Sequence, residues 1–386
     1  MGHLNDALTL AASVTCAYLA YALYWDKKPQ LAKLPPPAAD VADLIGNTEV
    51  VEIKSLSRYT KCRIYAKLEL NNPGGSAKDR VALAIIRAHE QTGQLAPNRG
   101  DVIFEGTSGS TGISIAMLAN ALGYKAHICL PNDTSPQKIA LLESYGAEVE
   151  PVPPASIVDP NQYTNAAAAA AKAINNNPDD PRRAIFADQF ESDYNWRVHY
   201  ATTGPEIALQ VPSVDVFVSG SGTGGTIAGV GRYLKHHHNP RTTVVLADPQ
   251  GSGLANRVNY GVMYDTVERE GTRRRHQVDT VVEGIGLNRL THNFSLAEPI
   301  IDDAVRVKDE AAVAMAKWLC TNDGFFWGSS SCVNAVAAVE TALRLGPGHT
   351  IVTIACDSGS RHLSKFYRDA AKANPTSVAD ILDLNK

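Results

Sequence analysis

The sequence predicts an α/β architecture: two α/β subdomains built on central, mostly parallel sheets, preceded by one N-terminal transmembrane helix. Three observations carry this reading. Short β-branched runs alternate with helical segments in two successive blocks, which is the pattern of parallel strands joined by crossover helices. Glycine- and hydroxyl-rich loops stand where strand gives way to helix. The front of the chain holds a long uncharged apolar stretch.

That stretch, Ala7 to Trp25, carries no charge over 19 residues, and as a helix it spans about 28 Å, close to a bilayer's hydrocarbon thickness. Tyr18, Tyr21, Tyr24 and Trp25 crowd its second half, and Lys27 and Lys28 follow it while no Lys or Arg precedes it. By the positive-inside rule the rest of the chain faces the cytosol. A cleavable signal would need a positive start and a small-residue cleavage site, and neither is present. We therefore expect a signal anchor over residues 1–28, with the membrane span at about 7–25, and a proline-rich linker over 29–40. A catalytic domain follows over 41–372, with a smaller subdomain at about 83–190, and then a tail over 373–386.

Within the body, the strands RIYAKLEL, DVIFE, KAHICLP and AEVEPV alternate with helices in the 80s, from Thr111 and around Gln137 to Tyr145. The pattern restarts with VDVFVSG, a helix from Gly225 to about His236, TTVVLADP and finally HTIVTIACDSG. A ligand between two such blocks lies at the carboxyl ends of strands. Ala166 to Ala171 reads as part of one alanine-rich helix. The stretch from Arg257 to Gln277, with its three arginines at 273–275, reads as a solvated surface insertion. The 386 residues are 44% hydrophobic and 20% charged, as in an ordinary globular enzyme. A net charge of -4 offers no basic field for nucleic acid and favours a small-molecule partner. Six scattered cysteines with no CxxC pair read as free thiols in a reducing compartment. His236 to His238 are adjacent and cannot share one helix face, so no metal is expected.

Five constellations carry chemistry. In Asn72 to Arg80 a glycine turn leads into a helix with Lys78 in its first turn, where the positive end of the helix dipole and partial desolvation make an amine more available as a nucleophile. Gly220 to Thr226, between a strand and a helix, offers backbone N–H groups and threonine hydroxyls to an anion. It lacks the GK[ST] of a nucleoside-triphosphate loop, and no acidic ribose partner follows at a convincing dinucleotide spacing, so a phosphate monoester fits it better than a dinucleotide. Glu105 to Gly112 forms a second anion cradle suited to a carboxylate. Gly328 to Cys332 and Cys356 to Arg361, each taken alone, read as helix caps.

The order of these motifs resembles a known family: the spacing around Lys78, TSGxTG at 107–112, TTGPEI at 202–207, GTGGT at 222–226, GxSS at 328–331 and DSG at 357–359. From about Leu44 to Tyr367 the chain is similar to the cysteine synthase and cystathionine β-synthase group of fold type II pyridoxal-phosphate enzymes, and most of all to membrane-anchored cysteine synthase-like proteins. The resemblance implies that Lys78 holds pyridoxal 5'-phosphate as a Schiff base. It implies that Gly222, Thr223, Gly224, Gly225 and Thr226 hold the phosphate, and that Ser330 meets the pyridine nitrogen, where a neutral partner favours β-elimination over transamination. Thr107, Ser108, Gly109, Thr111 and Gln189 then bind the substrate α-carboxylate, and Lys78 removes the α-proton. The implied reaction converts O-acetylserine and sulfide to cysteine and acetate through an aminoacrylate.

The chain departs from the family at two positions. Ser110 replaces the usual asparagine at the cofactor's 3'-oxygen, and Cys332 replaces a glycine beside Ser330. Condensation of serine with homocysteine, as in cystathionine β-synthase, stays open, although no haem region or C-terminal regulatory module is visible. Desulfhydrase or dehydratase chemistry also stays open. A non-catalytic, membrane-tethered binding protein would have lost Lys78 or the phosphate loop, and both are intact. A homodimer and a mitochondrial outer-membrane location are further implications of the family likeness.

Overall fold

The computed structural model describes Thr15, residues 36–265 and residues 280–386. Apart from Thr15, the expected membrane span over 7–25 lies outside the described residues, as does most of the linker. The three arginines at 273–275 lie outside them too. Among the described residues no helix is long and apolar enough to cross a membrane. The chain divides at Ala39, and the unit from Asp40 to Lys386 contains the sheets described here.

The larger sheet has six strands: β1 (Val50–Glu52), β2 (Arg63–Leu68), β7 (Val216–Gly220), β8 (Thr243–Pro249), β9 (Asp303–Val307) and β10 (Thr350–Ala355). They lie in the order β1-β2-β10-β7-β8-β9. Only β1 is antiparallel to its neighbour, so the sheet is mostly parallel, as expected. β10 shows why the run TIVTIA reads as continuous apolar sequence: it lies between β2 and β7, and all six of its residues are buried. The smaller sheet is entirely parallel. It contains β3 (Val102–Gly106), β4 (Lys125–Pro131), β5 (Glu148–Val152) and β6 (Ala184–Phe186), in the order β5-β4-β3-β6.

This topology places the motifs. β2, β10 and β7 are adjacent and parallel, so the Lys78 turn, the loop after Ala355 and the glycine loop after Gly220 all leave the same edge of one sheet. The hydroxyl loop leaves the corresponding end of β3 in the other sheet. Such carboxyl ends are where ligands sit in α/β proteins. The helix Ser329–Leu345 is almost wholly buried within the larger core, while the helix Lys78–Gln91 sends Val81, Ala82, Ile85 and Ile86 into the core of the smaller sheet.

Element boundaries differ slightly from the sequence reading. RIYAKLEL is strand only to Leu68, after which Glu69–Asn71 tightens into a 3₁₀ turn. The helix from Gly225 ends at Tyr233 and widens into a π-type turn through His238. Arg257 to Tyr260 end a helix that begins at Leu254, rather than opening an insertion.

Candidate active site

After β2 the chain turns through Asn72 to Ser76, and Gly75 takes φ +79°, a conformation that favours glycine. Asp79 holds the turn from the inside. Its Oδ2 accepts from the Gly74 amide at 2.6 Å and its Oδ1 from Ser114 Oγ at 2.5 Å, which ties the lysine turn to the helix of the hydroxyl loop. A Cβ at Gly74 would lie 2.4 Å from Asp79 Oδ1. Lys78 begins the helix, and its amide donates to Ser76 Oγ at 3.2 Å. Among the described residues no hydrogen bond or ion pair reaches its amine. Burial pushes that amine below the ordinary lysine range, against the opposing influence of Cys356, Asp357 and Glu69. The residue as a whole stays partly accessible.

Arg80 fixes the start of this helix. Its guanidinium donates to both Glu69 oxygens at 2.8 Å and to Glu206 at 2.6 and 2.8 Å, and reaches Thr202 Oγ1 at 3.2 Å. TTGPEI and KDR, far apart in sequence, are thus two halves of one buried ionic cluster.

The glycine loop is a close-packed cradle. A Cβ would lie 2.2 Å from the Gly284 carbonyl oxygen at Gly222, 2.5 Å from the Phe294 amide at Gly224 and 1.9 Å from Asn195 Oδ1 at Gly225. Gly224 has φ +94° and precedes the helix Gly225–Tyr233. Among the described residues the amides of Gly222, Thr223 and Gly224 have no protein acceptor, and Ser221 Oγ is buried without a partner. Thr226 Oγ1 lies 3.2 Å from Nε2 of the buried His199, whose Nδ1 pairs with Thr203 Oγ1 at 2.9 Å. Burial, reinforced by Arg80 and Lys78, pushes His199 well below the usual imidazole range. A neutral ring therefore faces the loop.

The hydroxyl loop joins this cradle through side chains. Thr111 Oγ1 donates to Gln189 Oε1 at 2.5 Å, and Gln189 Nε2 donates to Glu105 Oε1 at 3.1 Å. Asn195 Nδ2 donates to the Gln189 carbonyl at 2.7 Å and to Thr223 Oγ1 at 2.9 Å. A continuous polar chain thus runs from Glu105 to the glycine loop. Thr107 Oγ1 accepts the Gly109 amide at 3.1 Å, and Ser108 lies in the same turn. Ser110 Oγ accepts from Arg361 Nη1 at 2.9 Å, and Arg361 also donates to the Gly74 carbonyl.

Ser330 is buried and lies against the Cys356 thiol, itself within electrostatic reach of Lys78. Ser329 and Ser331 are not helix caps. Ser329 Oγ accepts the Glu283 amide at 3.0 Å and Ser331 Oγ the Cys356 amide at 2.8 Å, so this cluster belongs to the site and not to helix termination. In the last motif Ser358 does cap a turn. Cys332, two residues beyond Ser330 on the helix, faces away into the apolar core toward the Trp327 carbonyl.

These residues pass a chemical test for a phosphate ester that also carries an amine-reactive carbonyl. Amides without acceptors, an orphaned serine hydroxyl and glycines packed too closely for any Cβ line a cradle suited to an anion, and the Lys78 amine lies within electrostatic reach of His199 beside it. A cofactor-dependent α/β enzyme of the lysine-and-phosphate-cradle class is what the fold and site define. The family model of the pyridoxal-phosphate dependent enzymes matches residues 41–357, and the chain belongs to that family. It is 56% identical over 382 residues, covering 98% of this chain and 96% of the other, to a Saccharomyces cerevisiae protein named "Putative mitochondrial cysteine synthase". It is 57% identical over 332 residues, covering 85% and 83%, to cysteine synthase 2 of Schizosaccharomyces pombe. A crystal structure of an O-ureido-L-serine synthase superposes with a TM-score of 0.74 at 28% identity, covering 90% of this chain and all of that one.

The sequence reading missed Asp79, Asn195, His199 and Arg361 as members of the network. Asp79 and Arg361 stand inside quoted motifs, where a charged residue beside glycines is a usable signal. Asn195 and His199 carry no local signal, because their partners lie 28 and 27 positions away.

Proposed function

We propose that the chain makes cysteine by β-replacement, exchanging the acetate of O-acetylserine for sulfide. The reading rests on the polar chain that joins the two cradles through Gln189 and Asn195, with the Lys78 amine within electrostatic reach of His199 beside one cradle and of Cys356 beside Ser330, and it is supported by relatives named cysteine synthase at 55–57% identity. Gly222, Thr223, Gly224, Gly225 and Thr226 would hold the cofactor phosphate with backbone amides, three of them without a protein acceptor, and hydroxyls, Ser330 would meet the ring nitrogen, and Ser110 the ring oxygen. When bound, pyridoxal phosphate withdraws electrons from the amino acid's α-carbon, which acidifies the α-proton and lets the β-substituent leave. Lys78 Nζ, neutral more often than an ordinary lysine because burial disfavours its charge, takes up that proton. Thr107, Ser108, Gly109, Thr111 and Gln189 orient the substrate carboxylate. Gln189 is held for this task from both sides, by Glu105 and by Asn195.

The domain limits belong to the same reading: a catalytic part over 41–372, with the smaller subdomain at about 83–190, behind an anchor over 1–28. The anchor would place the enzyme on a mitochondrial outer membrane with its catalytic part in the cytosol, as a homodimer. The uncharged aromatic-flanked segment and the mitochondrial name of the yeast relative support the membrane placement, and the homodimer rests on the family likeness alone. Removing residues 1–38 should release the protein from the membrane fraction; retention would refute the anchor.

The deciding experiment supplies the purified holoenzyme with O-acetylserine and then sulfide, homocysteine or no added nucleophile. Cysteine formation with sulfide as the preferred nucleophile is expected, and Lys78→Ala should abolish it. Preference for homocysteine, or pyruvate as the main product, would overturn the sulfide assignment.

A further inference from the structure

We propose that His127, Cys129 and Glu150 form a binding site for a thiophilic divalent cation of the zinc class at the edge of the smaller sheet. The sheet register creates it. His127 and Cys129 alternate along β4 and share one face, and they stand directly opposite Glu148 and Glu150 on the edge strand β5. One ligand atom from each of His127, Cys129 and Glu150 comes within 4.8 Å of the other two.

The sulfur-to-oxygen separation fits a tetrahedral ion. Bonds of about 2.3 Å to thiolate and about 2.1 Å to carboxylate at the tetrahedral angle separate sulfur and oxygen by about 3.6 Å. Cys129 Sγ and Glu150 Oε2 are 3.6 Å apart. His127 Nε2 and Glu150 Oε2 are 2.8 Å apart and would open by about 0.6 Å to admit the ion, a movement open to a carboxylate with a side chain 47% exposed. The imidazole is also oriented for the task. It stacks on Phe104 at 4.7 Å, and Glu148 Oε2 lies 3.4 Å from Nδ1. With an ion on Nε2, this carboxylate would accept the proton on Nδ1, as in carboxylate–histidine–zinc arrangements.

Coordination replaces the Cys129 S–H proton, which leaves to solvent, with the metal, and no electron transfer is involved. Thiolate, imidazole and carboxylate together select a borderline-soft ion over magnesium or calcium. The site would cross-link β5 to β4, and β4 already holds the hydroxyl loop by accepting the Thr107 amide at the Cys129 carbonyl, 2.9 Å. It escaped the sequence reading because KAHICLP and AEVEPV show no ligand spacing until the strands are paired.

The test uses the full-length holoenzyme, dialysed against chelator and titrated with zinc and, separately, with cobalt. One saturable equivalent is expected, with a sulfur-to-cobalt charge-transfer band in the difference spectrum against the unloaded holoenzyme. Cys129→Ser should remove the band, Glu150→Gln should weaken binding by at least about tenfold, and Glu148→Gln by about 10–100-fold. Unchanged circular dichroism and cofactor absorption would show that each variant is folded, and Glu150→Gln, altered at an exposed side chain, keeps the test valid if Cys129→Ser fails to fold. Absence of saturable binding would overturn the proposal, as would a cobalt spectrum or affinity indifferent to these substitutions.

Discussion

Arg361 donates a hydrogen bond to Ser110 Oγ at 2.9 Å, joining the loop after the last strand of the larger sheet to the loop after β3 of the smaller one. A serine hydroxyl has one proton to give and two lone pairs to offer. With the guanidinium on a lone pair, the proton is left to donate elsewhere, as a residue expected at the cofactor's ring oxygen requires. A charge-assisted bond of this kind contributes about 1.5–3 kcal/mol. Arg361→Ala should therefore weaken cofactor binding by about 10–150-fold, measured by titrating apoenzyme with pyridoxal phosphate. In a double-mutant cycle Ser110→Ala should add little in the Arg361→Ala background; additive effects would show that the pair is not coupled.

The buried cluster of Arg80 with Glu69 and Glu206 predicts a stability effect. Arg80 and Glu69 are 2% and 0% exposed, so removal of Glu69 leaves two buried cations, Arg80 and Lys67, sharing one carboxylate, Glu206. Glu69→Ala should cost about 3–5 kcal/mol in denaturant unfolding. A change under about 1 kcal/mol would mean that water reaches the cluster.

Gly225→Ala should abolish cofactor retention. The added methyl would sit 1.9 Å from Asn195 Oδ1, so Asn195 must move, and with it the link between Gln189 and Thr223. The measurement is cofactor occupancy by visible absorption after gel filtration, and full occupancy would contradict the close approach.

Glu105 predicts a pH dependence of stability. Burial, with a smaller push from Asp188, raises its carboxyl to about 8. The folded chain keeps this proton to about pH 8, whereas the unfolded chain releases it near the ordinary value of 4.5. Folding therefore takes up a proton between those limits. The associated stability is complete below pH 4.5 and is lost as pH rises to about 8, a difference on the order of 5 kcal/mol. Glu105→Gln, neutral at every pH, should flatten the unfolding free energy over this window; an unchanged slope would assign it to other groups.

Much of the site was legible along the chain. Glycine loops between strand and helix are local chemistry, so 220–226, 107–112 and the Lys78 turn could be read directly, and the alternation of strands and helices was enough for two parallel sheets. Other features were not. Ser329 to Ser331 looked like a cap, because serine before a helix usually is one, yet two of these hydroxyls accept amides from other segments. Cys332 stands two residues from Ser330 in the sequence, but about 200° of helical rotation sends it into the core.

The sequence by itself picked out the Lys78 turn, the two glycine- and hydroxyl-rich loops, their order and the α/β class, because each depends on backbone geometry and side-chain chemistry within a few consecutive residues. Only the tertiary structure decided that Asp79 holds both Gly74 and Ser114, that Asn195 joins Gln189 to Thr223, that Arg361 reaches Ser110 across 251 positions, and that His127 and Cys129 meet Glu150. The physical reason is that strand order and register bring distant residues to hydrogen-bond distance, and such a contact leaves no mark in the local pattern of either segment.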